Sequence, residues 1–123
     1  MIARLLAASA ASIAIVVALA ACGGSPGVTP VGTPAVTLEL AATNSQFSQS
    51  SLTVPANSTF AVDFTNNDSV PHNVSIQGGP AGMTGEIFGG PAERTYVFAG
   101  LPPGSYTFIC DVHPDMKGTL TVN

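Results

Sequence analysis

Gly104-Ser105-Tyr106-Thr107-Phe108-Ile109-Cys110 sets Tyr106, Phe108 and Cys110 two residues apart. In an extended chain all three side chains then leave the same face. Phe60-Ala61-Val62-Asp63-Phe64 repeats the pattern, with Phe60, Val62 and Phe64 forming a second one-sided apolar set. Working outward from these two stretches, short runs rich in Val, Ile, Thr, Phe and Tyr recur between Gly, Pro and Asn clusters. Helical apolar spacing is absent beyond Ala35. The strands predicted on this basis are Val36 to Ala42, Ser51 to Val54, Thr59 to Asn66, His72 to Ile76, Glu93 to Phe98, Gly104 to Cys110 and Gly118 to Val122. The Gly- and Pro-rich stretch Gly78 to Pro91 reads as a loop or a poorly formed strand region. Seven or eight short strands in a chain of this size imply an all-β fold, a two-sheet sandwich with Greek-key connections. Cys110 is expected to end a strand with its side chain facing the core.

Between that strand and the next, Cys110-Asp111-Val112-His113-Pro114-Asp115-Met116 carries a thiol, an imidazole and a thioether in one short loop. The only other histidine, His72, opens a predicted strand in Val70-Pro71-His72-Asn73-Val74. Taken singly, each residue has a plain structural role: a buried inert thiol, a strand-end histidine, a methionine in the core. Together they form a donor set suited to a metal that cycles between Cu(I) and Cu(II). Soft sulfur suits the first state and imidazole the second, and two His with one Cys and a weak axial Met serve both. Met83, inside the Gly-rich loop, reads as surface material rather than a ligand.

The N-terminus places this chemistry outside the cytoplasm. Met1 to Ala21 has one positive residue, Arg4, followed by an apolar run from Leu5 to Ala21, the pattern of an export signal. The run ends in Leu19-Ala20-Ala21-Cys22, which resembles the lipobox of bacterial lipoproteins and makes Cys22 the expected lipid attachment point. An uncleaved single transmembrane helix is the alternative, because the run is near the minimum length for spanning a bilayer. Residues 22–34, lacking charge and periodicity, read as a lipidated Cys followed by a Gly- and Pro-rich tether, and residues 35–123 as one domain. With Cys22 assigned to the lipid, Cys110 is left without a disulfide partner in an oxidising compartment, which calls for a metal or a reactive role.

Beyond the leader, Arg94 and Lys117 stand against seven carboxylates. That balance excludes a nucleic-acid partner, which needs basic surface. The sequence contains no Gly-x-Ser-x-Gly, no haem-attachment motif and no His-x-His pair. A zinc hydrolase using His72, Cys110 and His113 with Glu86 or Glu93 as base is the enzymatic alternative. It is disfavoured because catalytic zinc keeps an open water position where this chain offers Met116.

On the motifs Val70-Pro71-His72-Asn73-Val74 and Cys110-x-x-His113-x-x-Met116, the chain resembles the small blue copper proteins, or cupredoxins, and in particular the plastocyanin and amicyanin group. The short gap before Met116 is amicyanin-like, and the resemblance covers most of the mature domain. It implies one type 1 copper held by His72, Cys110, His113 and Met116. It also implies that Asn73 sends its backbone amide to the ligand sulfur and ties the two ligand loops together through its side chain. The function implied is single-electron transfer by a monomer that docks redox partners near His113, with no catalysis of its own. A copper carrier delivering metal to an oxidase is the alternative within the same ligand set.

Overall fold

The computed structural model describes residues 32–123, so the signal segment, Cys22 and most of the expected tether lie outside the described residues. Eight strands follow, with no helix among the described residues: β1 Val36–Thr43, β2 Gln46–Phe47, β3 Ser51–Val54, β4 Phe60–Asn66, β5 Ser75–Gln77, β6 Ala92–Phe98, β7 Gly104–Ile109 and β8 Lys117–Val122. They form two four-stranded sheets, in the orders β2-β1-β4-β6 and β3-β8-β7-β5. Each sheet contains one parallel pair, β1 with β4 and β3 with β8, and antiparallel pairs otherwise.

The two alternating stretches supply the facing layers. Phe60, Val62 and Phe64 of β4 are buried against Phe108 of β7 and Leu120 and Val122 of β8. Register on the second sheet sets Leu52 opposite Leu120 and Val54 opposite Val122, so the inward positions of β3 and β8 coincide. Opposite Phe108 stands Gly118. A Cβ there would lie 2.2 Å from Phe108 Cζ and 2.7 Å from the Ser50 carbonyl, so only glycine lets the ring lie across β8. Phe47 bridges the layers, with its ring centroid 6.1 Å from Phe64 and 5.3 Å from Phe108.

Three features differ from the sequence expectation. The strand predicted from His72 begins instead at Ser75; His72 itself forms an isolated antiparallel bridge to Phe88. The two-residue strand β2 exists because Asn44 and Ser45 both take positive φ, 52° and 56°. These angles give the type I′ geometry that closes a tight hairpin, here between β1 and β2. Met83 is in the core, not on the surface. The cause is Gly79, where a Cβ would sit 2.9 Å from Leu101 Cδ2 and 3.2 Å from Met83 Sδ, so the missing side chain makes room for both. The segment from Gly78 to Pro91 thus lies against the sandwich, held by single bridges at Thr84 and Phe88.

Candidate metal centre

The donor residues converge at one end of the sandwich from two segments. The first is the stretch before β5. There His72 N donates to Phe88 O and Phe88 N to His72 O, both at 3.1 Å, which fixes the backbone and buries the imidazole completely. The second is the loop between β7 and β8. Cys110, one residue beyond β7, is fully buried, and its N–H donates to Met116 O at 3.0 Å. Met116 N in turn donates to His113 O at 2.8 Å. These two bonds close the loop into a turn that carries Cys110, His113 and Met116, with Met116 buried and His113 half-buried.

Cys110 Sγ lies 3.7 Å from His72 Nδ1 and 3.8 Å from His113 Nδ1. The ligand atoms of all three residues fall within 4.8 Å of one another. An ion with bonds of about 2.3 Å to sulfur and 2.0–2.1 Å to nitrogen, as for zinc, needs sulfur–nitrogen edges of about 3.6–3.8 Å between tetrahedral and trigonal angles. The two observed sulfur–nitrogen edges meet that demand. The donor chemistry then discriminates between metals: two imidazoles, one thiolate and a buried thioether on the same turn suit copper in both oxidation states.

The hydrogen bonds around the donors fix their orientation. Asp68 Oδ2 sits 2.8 Å from His72 Nε2, so the carboxylate accepts the Nε2 proton and the Nδ1 lone pair points toward Cys110. The Ser45 backbone N–H, then the His72 imidazole and the Asn44 N–H, hold the Asp68 carboxyl below its ordinary range. Asn73, fully buried, joins the two ligand segments through its side chain: its Oδ1 accepts from Asp111 N at 2.8 Å and its Nδ2 donates to Asp111 Oδ2 at 2.8 Å, whereas the expected bond from its backbone amide to Cys110 Sγ is not among the hydrogen bonds of the described residues. The same Nδ2 donates to Gly85 O at 3.0 Å. Ser75 Oγ adds a 2.9 Å bond to Asp111 Oδ2. Asp111, although exposed, is therefore a structural acceptor that ties the loop to Asn73 and Ser75.

Sequence reasoning missed Asn66 and Asp68. Asn66 is fully buried and donates from Nδ2 to Val70 O and Phe88 O, both at 2.9 Å, while its Oδ1 accepts from Asp68 N at 2.9 Å. It shapes the loop that delivers His72. The run Asn66-Asn67-Asp68-Ser69 looks like an ordinary polar turn, and its one usable signal is a carboxylate four residues before a candidate ligand. Glu86 and Glu93 stand away from the donors. Glu86 pairs with Arg94 at 3.6 Å at the surface, and Glu93 accepts from Thr65 Oγ1 at 3.1 Å on the exposed sheet face.

A family profile described as Cupredoxin-like domain matches residues 10–122. The chain belongs to the cupredoxin family. Among its curated relatives is amicyanin-alpha of Methylorubrum extorquens (strain AM1), 34% identical over 91 residues that span 72% of this chain and 74% of the relative. Auracyanin B has a similar structure, with a TM-score of 0.63 and 27% identity over 75% of this chain and 91% of that one. Auracyanin A from Chloroflexus aurantiacus, a "blue" copper protein, superposes with a TM-score of 0.62 and 26% identity, covering 72% of this chain and 98% of its own. As a cupredoxin the chain is an electron carrier with one type 1 copper, not an enzyme.

Proposed function

We propose that this cupredoxin is a membrane-tethered, exported shuttle that passes single electrons between redox partners, with copper held by His72, Cys110, His113 and Met116. The observation that carries the assignment is the spacing of the donors: two imidazole Nδ1 atoms at 3.7 and 3.8 Å from one buried thiol. Copper bound there would supply a one-electron couple and a strong thiolate-to-metal absorption. The protein's own part is to hold the donors still. The bonds from Cys110 N to Met116 O, from Met116 N to His113 O and between Asn73 and Asp111 tie both ligand segments into one frame. Such a frame limits the rearrangement that accompanies a change of charge.

His72 is sealed from solvent, whereas His113 is half-buried between exposed Val112 and Pro114. Electrons therefore enter and leave by the His113 edge. A small apolar surface around an imidazole suits the brief encounters of redox partners. Tethering rests on Leu19-Ala20-Ala21-Cys22 and the charge-free segment after it. Replacing Cys22 with Ser should release the protein from membranes; retention after that change would point to an uncleaved helix.

The alternative role, a carrier that hands copper to an oxidase, calls for additional exposed Met or His donors along a transfer route. Met83, the one further candidate, is buried in the core beside Leu101, which favours the shuttle. The deciding experiment is the visible spectrum of the copper-loaded domain. An intense blue band supports the assignment; a colourless protein that retains zinc at the same residues overturns it.

A further inference from the structure

Asp68 is enclosed by hydrogen-bond donors. Its Oδ1 accepts from Asn44 N at 2.8 Å and its Oδ2 from Ser45 N at 2.9 Å and from His72 Nε2 at 2.8 Å. Its own backbone is held on both sides, by Asn66 Oδ1 accepting from Asp68 N at 2.9 Å and by Gly90 N donating to Asp68 O at 3.0 Å. Three donors and no acceptor face the two oxygens, so the site selects the ionised, acceptor-only form of the side chain. Two of the three donors come from the β1–β2 turn, where consecutive residues with positive φ, Asn44 and Ser45, aim adjacent N–H groups at one point. Successive backbone amides in such a turn make a concave anion-binding surface. A hairpin on the opposite sheet from β5 and β7 thereby reaches a ligand of the metal centre through one side chain.

We propose that Asp68, seated in the Asn44–Ser45 turn, is a positioning residue that locks His72 in its Nε2–H tautomer and lowers the reduction potential of the centre. The inference rests on the assignment of His72 as a ligand through Nδ1. The tautomer follows from the geometry: an anion at Nε2 requires the proton there, which leaves Nδ1 free as donor toward the metal. The potential follows from charge. A carboxylate hydrogen-bonded to the far side of a ligand imidazole makes that imidazole a stronger donor and favours the more highly charged metal state. The carboxylate and the amide differ here in a specific way. In Asp68→Asn one oxygen can still accept from Ser45 and His72, but the amide –NH2 then faces the Asn44 N–H, donor against donor, and the negative charge is gone.

The test combines a metal-free and a metal-loaded measurement on wild type, Asp68→Asn and Asp68→Ala. In the metal-free wild type, nitrogen NMR of the imidazoles should show His72 as a single Nε2–H tautomer with a slowly exchanging proton. In Asp68→Ala that proton should exchange faster, together with the Asn44 and Ser45 amides. In the copper-loaded protein both variants should stay blue with a raised potential. The expected change in the Cu(II)/Cu(I) ratio at a fixed applied potential is about tenfold, equivalent to 59 mV for one electron. If Asp68→Ala does not fold, Asp68→Asn alone decides. Blue variants with an unchanged potential and unchanged His72 proton exchange overturn the proposal. A wild type that shows the His72 tautomer yet binds no copper removes instead the ligand assignment on which it rests, and the effect on potential falls with it.

Discussion

Replacing Asn73 with Ala should cost the metal-free domain roughly 3–5 kcal/mol, because this side chain is the principal polar link between the two ligand-bearing segments. Asn73 is fully buried and makes three bonds: to Gly85 O at 3.0 Å, to Asp111 Oδ2 at 2.8 Å and from Asp111 N at 2.8 Å. A neutral hydrogen bond contributes about 1 kcal/mol net and one to a charged group about 1.5–3 kcal/mol. Truncation also strands the Gly85 carbonyl and the Asp111 amide, which adds a desolvation cost unless water enters the gap. The assay is urea denaturation without metal, so that ligand linkage does not mask the loss. For a denaturant slope near 1.5 kcal/mol/M the midpoint should fall by about 2–3 M. A double-mutant cycle with Asp111→Ala isolates the link, since residues sharing a hydrogen-bond network couple and independent ones add. A loss below about 1 kcal/mol, or strict additivity in the cycle, would refute the view that Asn73 joins the segments.

Cys110→Ser should leave the sandwich folded and abolish the blue absorption, as read by circular dichroism and visible spectroscopy; a variant that stays intensely blue would remove Cys110 from the site. Met116→Leu should keep copper and colour but raise the reduction potential, because a weak neutral donor to Cu(II) is lost, whereas collapse of copper binding would show Met116 to be a stronger ligand or chiefly a core residue. Pro114→Glu should slow electron exchange with partners at the His113 face with little change in the visible spectrum, and unaltered rates would move the exit elsewhere. Burial, then the nearby Glu86 charge, pushes the Tyr96 hydroxyl well above its ordinary range, and that hydroxyl donates to Glu86 O at 2.6 Å. A raised value means the neutral form stabilises the fold below about pH 10 and that this contribution fades as pH climbs beyond it. The Tyr96 phenolate band should therefore grow only with alkaline unfolding, and its early appearance in folded protein would contradict the burial argument.

The strands were legible where one side chain in two is buried against the other sheet. Phe60/Val62/Phe64 and Tyr106/Phe108 announce their faces, and β3 and β8 share the same pattern through Leu52, Val54, Leu120 and Val122. Two features were not legible. The two-residue β2 depends on Asn44 and Ser45 adopting positive φ without a glycine, and no apolar period signals it. The segment from Gly78 to Pro91 is the loop or poorly formed strand region its glycines announce, and what stayed hidden is that it packs on the sandwich through isolated bridges. One of those glycines, Gly79, is the reason Met83 and Leu101 pack inside. Strand pairing is also silent in periodicity: nothing in the alternation says that β1 lies parallel to β4, a long-range choice made by how the two sheets close on the core.

The donors were legible for a different reason, scarcity. With two histidines in the whole chain and a single cysteine beyond Cys22, the residue types left few other ways to build a metal centre, and the structure brings His72, Cys110 and His113 together. Their supporting residues were hidden because Asn66 and Asp68 occupy a turn whose composition would look the same with nothing nearby to orient. Burial separates their roles. Asn66 spends its amide on three backbone groups and so shapes the approach of His72, whereas Asp68 spends its carboxylate on the imidazole itself. The asymmetry of the centre follows. His72 is closed off by Asp68 on its outer nitrogen and by Phe88 along its backbone, while His113 has no comparable partner on its outer edge among the hydrogen bonds of the described residues and is flanked by exposed apolar residues. The proposed route at His113 rests on this asymmetry: a partner seated there would approach the metal through the half-buried imidazole rather than the sealed one.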